Sequence, residues 1–276
     1  MNPVQKANWY IESFLSADLS LERISKASCV SAFHLTRAFG NAMGRSVMRY
    51  VKHRRLSEAA KRLAAGEADI LALALESSYG SHEAFSRAFR DLFGVTPESV
   101  RRAGSTDNLG LTEAINMSEP TVTLAEPAII EHETKLYAGI RRNYTYESSA
   151  AIPAHWNEFN GVDSEIPNSV GDAAFGVIMN DDNEGNFDYI AAFEVSSFAG
   201  LDEKFARIKV PAQRYAVFNS SMHVSAIKAV MHSIWSNWLP GSGHEVADAP
   251  MLERYGREFD PQTGAGGFQI WIPLKG

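Results

Sequence analysis

A nine-residue pattern occurs twice in this chain, fifty residues apart, and constrains its fold more than any other feature. Residues 31–39 read SAFHLTRAF and residues 81–89 read SHEAFSRAF. In each copy, and just beyond it, apolar residues recur at i, i+3, i+4 and i+8, the spacing of one buried helix face. A matched arginine, Arg37 or Arg87, stands on the polar edge of each helix. A solenoid needs about three repeats or more. Two copies therefore indicate a pair of equivalent helices that contact two equivalent targets.

A short helix and a tight turn are predicted before each copy. Residues 19–27 form a helix that Ser20 can cap, and residues 69–76 have the same role before the second copy. Helix, turn and helix is the pattern of the helix-turn-helix, whose second helix enters the major groove of DNA. Residues 46–65 predict a long helix that connects the two units.

Residues from about 8 to 102 resemble the DNA-binding domain of the AraC/XylS family of transcriptional regulators. The resemblance implies seven helices, arranged as two helix-turn-helix units joined by a long helix, with both recognition helices in successive major-groove segments. One departure is the turn ESSYG at residues 76–80, where the family usually has a small residue, a β-branched residue, Gly and Phe. The segments that carry the likeness are LTRAF (35–39), YVKHRRL (50–56) and FSRAFRDLFGVTP (85–97).

The resemblance also implies which side chains are exposed towards DNA. Arginine pairs with guanine through two hydrogen bonds, glutamate accepts from cytosine, and threonine serves several bases or phosphates. A lone arginine would be interpreted as part of a solvated face, but a matched pair favours DNA. For His82 a plain surface position stays open, and Phe33 could instead fold back on the turn. The expected DNA-contacting residues are Ala32, Phe33, Thr36, Arg37, Lys52, Ser81, His82, Glu83 and Arg87.

Charge changes sign along the chain. The net charge is −7 over 276 residues, yet residues 1–105 carry 15 Lys and Arg against 10 Asp and Glu, a net +5. The remainder carries 11 against 23, a net −12. A positive N-terminal part attracts phosphates although the whole chain is acidic. Its densest basic cluster, residues 52–55, could line the DNA backbone or form a solvated helix face.

Length and composition predict two domains, because a chain of 276 residues is longer than one that usually forms a single hydrophobic core. We expect an all-α double helix-turn-helix domain at residues 1–105, a polar linker at 106–119 and an α+β domain at 120–276. In the last, two helices, 148–159 and 223–239, alternate with strands in two strand-helix-strand-strand modules. The expected strands are residues 121–124, 136–144, 174–179, 189–195, 205–210, 215–220, 251–255 and 268–273.

The second domain resembles the GyrI-like small-molecule-binding domain, from about residue 121 to the last residue. The resemblance implies two pseudosymmetric modules with a ligand cleft between them. The segments behind it are VPAQRYAVF (210–218), WSNWLP (235–240), LERY (252–255) and IWIPL (270–274).

Glu253 is the most informative residue of this domain. It stands in a predicted strand between apolar and aromatic residues, where an inward-facing carboxylate is costly to ionise without a partner. Arg254 should point to the opposite face. The resemblance implies that the acid meets cationic or polar aromatic ligands; the alternative is an acid satisfied within a buried hydrogen-bond network. Aromatic residues that line a cleft suit a cation–π contact with such a ligand. For each aromatic residue, ordinary packing in the core is the alternative. The expected ligand-binding residues are Trp156, Trp235, Glu253, Tyr255 and Trp271.

Other kinds of site are not indicated. The segment 181–185, DDNEG, has its glycine one place early for a calcium loop and predicts a solvated hairpin tip. The single cysteine, Cys29, is expected to pack between two helices, and a reducing cytoplasm fits its isolation. No signal peptide, membrane span, metal site, cofactor site or catalytic triad is predicted.

These patterns predict a one-component transcriptional regulator and not an enzyme. The expected partners are double-stranded DNA and a small-molecule effector of cationic or aromatic character. RNA polymerase is a third partner that the sequence leaves open. Two alternatives stay open for the second domain. It could be a hydrolase with Glu253 as general base, or a module that binds another protein and has a filled cleft.

Overall fold

The computed structural model describes residues 1–67, 69–114, 122–182 and 184–276. By its contacts the chain divides into two compact units. Met1, Pro3–Leu35 and Ser46–Ser118 form the first, and Asn2, Thr36–Arg45 and Glu119–Gly276 form the second. Within the described residues no helix combines the length and apolar character needed to cross a membrane.

Among the described residues, seven helices occupy the N-terminal part of the chain, as the resemblance implied. They are α1 (Pro3–Ser13), α2 (Leu21–Ala27), α3 (Ala32–Met43), α4 (Val47–Ala64), α5 (Ile70–Glu76), α6 (His82–Phe93) and α7 (Pro97–Ala103).

Side-chain caps explain where these short helices begin. Each capping oxygen accepts a backbone N–H three residues later, which satisfies a donor that the helix itself leaves unpaired. The caps are Ser20, Ser31, Ser46, Asp69, Ser81 and Thr96. At the other end, Gly94 and Gly104 terminate α6 and α7 in the left-handed conformation that glycine adopts without strain.

The two helix-turn-helix turns share one backbone motif. Cys29 and Ser78 have positive φ, at 60° and 65°. The next residue of each turn, Val30 or Tyr79, donates its N–H to the carbonyl five residues earlier, which is the Schellman arrangement. Cys29 is exposed, because the left-handed position projects its side chain outwards. The expectation that it packs between the helices was wrong.

A common core joins α4, α5, α6 and α7 in the first unit. Its buried members include Leu63, Leu73, Phe85, Phe89 and Val100. Burying a large apolar side chain contributes about 1.5–3 kcal/mol, so these residues fix the second helix-turn-helix on α4. Tyr79 packs edge-on against the Phe85 ring, with centroids 5.5 Å apart, and so fills the irregular turn.

Within the described residues, an antiparallel eight-stranded sheet is the main element of the second unit. Its order is β1-β6-β8-β7-β3-β4-β2-β5, in which β2, β3 and β4 mirror β6, β7 and β8 about the β3–β7 pair. The strands are β1 (Ala128–His132), β2 (Lys135–Thr145), β3 (Ser169–Met179), β4 (Asn186–Val195), β5 (Ala206–Val210), β6 (Gln213–Ser220), β7 (Met251–Tyr255) and β8 (Phe268–Leu274).

One long helix lies within each module. The first is α8 (Ile152–Asn160), and the second is α9 (Ile227–Ser233), which continues as a π-helical stretch (Ile234–Trp238) and a short α10 (Leu239–Gly241). Short 3₁₀ turns occur at Ser148–Ala151, Asp163–Glu165 and Val224–Ala226. The predicted fold, a double helix-turn-helix followed by an α+β domain of two modules, is confirmed.

The strand expected at residues 121–124 was wrong. Residue 121 lies outside the described residues, and residues 122–124 are not a strand. The first strand is β1 instead. It lies at the edge of the sheet and pairs with β6 alone, so its mostly exposed residues lack the apolar alternation of a half-buried strand.

Candidate functional site

Helix α6 presents a polar edge near its beginning, as expected of a recognition helix. Ser81 caps it, accepting the N–H of Ala84 at 3.1 Å. His82, Glu83 and Arg87 are exposed, whereas the opposite face is buried in the core. Hydrogen bonds from the backbone N–H of Glu83 itself and from Ser81 hold the pKa of the Glu83 carboxyl below its usual range. The edge therefore offers an ionised acceptor beside a cationic donor.

Helix α3 differs from α6 at the matched positions. Ala32 and Phe33 are half-buried, but Thr36 is 1% and Arg37 only 5% exposed. The expected exposure of Thr36 and Arg37 was therefore wrong for this conformation. Both residues belong to the segment Thr36–Arg45, which the contacts assign to the second unit.

Specific groups account for the burial of Arg37. Its Nε lies 3.7 Å from Oδ2 of Asp181, and its guanidinium carbon lies 5.8 Å from the centroid of the Trp235 ring. One turn later on α3, a Cβ at Gly40 would lie 2.2 Å from the Tyr146 ring, so a larger residue would not fit there. DNA contact by Arg37 stays a prediction, and it requires the guanidinium to leave Asp181.

The basic cluster at residues 52–55 separates into different roles. Lys52 is exposed, so a phosphate contact stays open for it. Arg54 is buried and pairs with Glu12 at 2.8 Å and with Glu58 at 2.9 Å. Arg55 donates to the carbonyl of Leu15 at 2.8 Å. Arg54 thus connects α4 to α1 through Glu12, and Arg55 connects α4 to the segment that follows α1.

A cavity of about 680 Å³ lies in the second unit, on one face of β3, β4 and β7. Strand alternation directs Ala174 and Ile178 of β3 and Met251, Glu253 and Tyr255 of β7 into it. Its lining is largely apolar and aromatic, which is usual for sites that bind small molecules.

Glu253 is the centre of a buried hydrogen-bond network in this cavity. The hydroxyl groups of Tyr189 and Tyr255 both donate to Oε2 of Glu253, at 2.6 and 2.9 Å. Trp156 Nε1 in turn donates to the Tyr189 hydroxyl at 2.8 Å. Glu253 is 8% exposed, and its burial raises the pKa of the carboxyl, an effect that the two tyrosine bonds oppose.

A glycine makes room for this network. Gly176 of β3 stands opposite Glu253 in the sheet register. A Cβ at this position would lie 2.3 Å from the Tyr189 hydroxyl and 2.8 Å from Glu253 Oε2. The signal available in the sequence was a glycine inside an apolar strand, which marks a close approach of other atoms.

Asp181 is a second buried acid of the cavity, which the sequence pattern around it did not indicate. Its side chain is 3% exposed and accepts a hydrogen bond from the Tyr146 hydroxyl at 3.1 Å. Burial raises the pKa of Asp181, whereas Arg37 and Tyr146 act in the opposite direction. The expectation of a solvated hairpin tip holds instead for Asp182, which is exposed and accepts a hydrogen bond from the N–H of Glu184 at 2.9 Å.

The expected aromatic walls separate into two groups. Trp156 and Tyr255 line the cavity beside Glu253. Trp235 is fully buried outside the cavity lining. Trp271 pairs with Leu252 in the register, so it faces the other side of the sheet, where it packs against Tyr215 with ring centroids 5.7 Å apart. For Trp235 and Trp271 the expectation of a wall position is corrected to core packing.

Two family models match the chain. The GyrI-like small molecule binding domain matches residues 125–275, and a helix-turn-helix domain matches residues 24–103.

Several curated proteins are similar to this chain. Transcriptional regulator Rob of Salmonella typhimurium LT2 is 23% identical over 267 residues, covering 92% of this chain and 90% of that protein. Multiple antibiotic resistance protein MarA of the same strain is 35% identical over 92 residues, covering 33% of this chain and 72% of that protein. The right origin-binding protein of Escherichia coli K12 is 29% identical over 136 residues, covering 49% of this chain and 46% of that protein.

Proposed function

Because this chain belongs to the GyrI-like family of small-molecule-binding proteins and carries an AraC-type helix-turn-helix domain, we propose that an apolar cation, bound beside Glu253, controls its attachment to DNA. The chain is a DNA-binding transcriptional regulator with a small-molecule-binding domain. The proposal concerns the chemical class of the effector and the residues that bind it.

The observation that carries the proposal is the buried Glu253 carboxylate in an aromatic cavity. Both tyrosine hydrogen bonds end on Oε2, which leaves Oε1 to a ligand. A carboxylate in an apolar enclosure is costly to ionise unless a positive charge comes close. The Trp156 and Tyr255 rings, packed edge to face with centroids 5.2 Å apart, both line the cavity and are the aromatic groups for a cation–π contact. A flat or aromatic cation matches both features.

A matched ligand pair tests the role of charge. N-methyl-4-phenylpyridinium and its neutral isostere 4-methylbiphenyl differ in one ring atom and in charge. Glu253→Gln should weaken binding of the cation by at least about tenfold, because a charge-assisted contact is lost, and should change binding of the neutral compound by less than about twofold. Calorimetry on the full chain measures both.

Glu258→Gln is the control, since Glu258 is an exposed acid five residues later. Equal losses for the cation and the neutral compound in the Glu253 variant would show that the carboxylate has no charge-selective role.

We infer further that the cavity returns its ligand unchanged. Rob, which covers 92% of this chain, is a transcriptional regulator. The Glu253 carboxyl accepts hydrogen bonds from two tyrosines, an arrangement that suits cation binding. Chromatography of p-nitrophenyl acetate after incubation tests the hydrolase alternative, which requires turnover that Glu253→Gln abolishes. The open cavity of about 680 Å³ argues against a filled protein-binding module. RNA polymerase remains a predicted partner.

A further inference from the structure

The cavity has a buried carboxylate at each of two places. Glu253 lies in β7, and Asp181 follows the end of β3 by two residues. Each is held by a tyrosine hydroxyl: Tyr189 donates to Glu253 at 2.6 Å, and Tyr146 donates to Asp181 at 3.1 Å. Two fixed, oriented acids in one enclosure provide two positions for positive charge.

The surface between the two acids is apolar. Gly176 stands opposite Glu253, and Asp181 follows Gly176 by five residues, so the backbones of these two residues are at most roughly 17 Å apart at the rise of a β-strand. Ile178 and Met251, paired across β3 and β7, line the cavity within this interval, and Phe187 lines it from β4. The two buried carboxylates of the cavity, Glu253 and Asp181, therefore stand apart with apolar residues between them, whereas the half-buried Asp163 and the exposed Asp172 also line the cavity.

One of the two acids already has a cation. Arg37 lies against Asp181, with Nε 3.7 Å from Oδ2. Among the described residues that line the cavity, the cationic side chains are Arg37 and the exposed Lys228. A charge-assisted hydrogen bond spans about 2.7–2.9 Å, so this pair is longer than the closest contact that Asp181 can make. At 3.7 Å the contact of Arg37 Nε with Asp181 is therefore one of charge and not a hydrogen bond, so a cation without hydrogen-bond donors, such as a quaternary ammonium group, can take its place.

We infer that the cavity is built for a linear dication, with one positive group at Glu253 and the other in place of Arg37 at Asp181. This inference rests on the proposed function of the same cavity. A monocation at Glu253 leaves Arg37 in position, whereas a dication competes with it directly. Exchange of one cation for another keeps the buried Asp181 charge compensated, which avoids the cost of an unpaired buried carboxylate. Arg37, the matched arginine of the first repeat, is then released.

Two probes with the same apolar chain test this inference. Decamethonium carries a quaternary ammonium group at both ends of a decyl chain, and decyltrimethylammonium carries one. On the full chain, calorimetry should give at least about tenfold tighter binding of decamethonium, because the second group binds from within an already bound molecule.

Variants at the two partners should move the affinity ratio in opposite directions. Asp181→Asn should reduce the ratio of decamethonium to decyltrimethylammonium affinity to about one, since the second anionic position is lost. Arg37→Gln should raise the ratio above the wild-type value, because the internal competitor is removed. Asp182→Asn, a change at the exposed neighbour, is the control and should leave the ratio as it is. Thermal melting of each variant verifies that it is folded.

The outcomes distinguish the inference from the proposed function. If both probes bind with equal affinity and Glu253→Gln weakens both, the dication inference is overturned while the cation site stands. If Asp181→Asn and Arg37→Gln shift the ratio in the same direction, the exchange at Asp181 is overturned. If neither probe binds while N-methyl-4-phenylpyridinium does, the dication inference is overturned and the proposed function stands; if N-methyl-4-phenylpyridinium also fails to bind, both fail.

Discussion

Glu253 binds its proton more tightly in the folded chain than in the unfolded one, because burial raises its pKa above the ordinary value of 4.5. A group of this kind stabilises the fold fully below its unfolded pKa, and that contribution is lost as pH rises through the folded pKa. Asp181 has a pKa raised for the same reason. At neutral pH the two acids of the cavity thus lower the free energy of unfolding, and they also give the cavity its charged groups.

Glu253→Gln should therefore stabilise the protein increasingly as pH rises. Glutamine has no proton to lose, so the free energy of unfolding of the variant should gain on that of the wild type from about pH 4.5 upwards. Denaturant titrations at a series of pH values measure the difference, to which Asp181 contributes equally in both proteins. A difference that is independent of pH would contradict the burial of an ionisable Glu253.

Gly176→Ala tests the packing beneath the same carboxylate. The added methyl group would meet the Tyr189 hydroxyl and Glu253 Oε2 well inside contact distance. We expect a loss of about 1–3 kcal/mol in the free energy of unfolding, which is usual for overpacking, together with weaker cation binding. Gly110→Ala, where the added Cβ meets nothing within 4 Å, is the control. Equal stability of the two variants would mean that the Tyr189–Glu253 network tolerates displacement.

Helices α3 and α6 have the same sequence pattern but different environments. At the matched arginines, Arg87 is exposed and Arg37 is buried beside Asp181. We therefore expect α6 to be ready for DNA contact, whereas α3 needs Arg37 to move first.

Arg87→Ala should lose discrimination at one half of the operator by about 1–3 kcal/mol, the value of one good arginine–base contact. Lys52→Ala should weaken binding to all sequences alike and reduce the salt dependence, as expected for a phosphate contact. Fluorescence anisotropy on operator variants at several salt concentrations separates the two effects. A uniform loss for Arg87→Ala would assign this arginine to the backbone instead.

Features with a local cause could be predicted from the sequence. The repeated helices and the Ser20 cap follow from spacing and hydrogen-bonding groups within a few residues, and β7 was predicted at its observed bounds, Met251–Tyr255. The placement of Glu253 on one face of the sheet and of Arg254 on the opposite face also follows from strand alternation.

Features set by distant contacts could not be predicted. The sequence around Asp181 reads as a polar turn, and only the approach of Tyr146 and Arg37 shows it to be buried. Trp271 could have faced either side until its partner in the register, Leu252, was known. Strand β1 lies at the edge of the sheet and has only a weak apolar alternation in its sequence. Its position is therefore determined by its pairing with β6.

The N-terminal part carries the positive charge, so we expect it to fold and bind DNA as a separate fragment if the fragment keeps its packing contacts. The predicted boundary at residue 105 leaves out Leu109 and Leu111, which pack on the core of the first unit, and Thr112, whose N–H donates to Ser57 at 2.9 Å. A fragment of residues 1–114 keeps these contacts.

This fragment should fold and bind DNA at low salt at least as tightly as the full chain, because the acidic remainder no longer repels phosphate. Circular dichroism and a gel-shift series measure folding and binding. A folded fragment with no affinity for DNA would show that the remainder of the chain is required for DNA contact.

The most direct test of the link between cavity and DNA is the operator affinity of the full chain as a function of decamethonium concentration. Because the ligand should release Arg37 from Asp181, we predict that operator affinity rises by at least about fivefold, a usual size for coupling between two sites, and that Glu253→Gln abolishes the rise. Calorimetry under the same conditions reports the occupancy of the cavity. An operator affinity that stays constant while the cavity becomes saturated would contradict effector control of DNA binding.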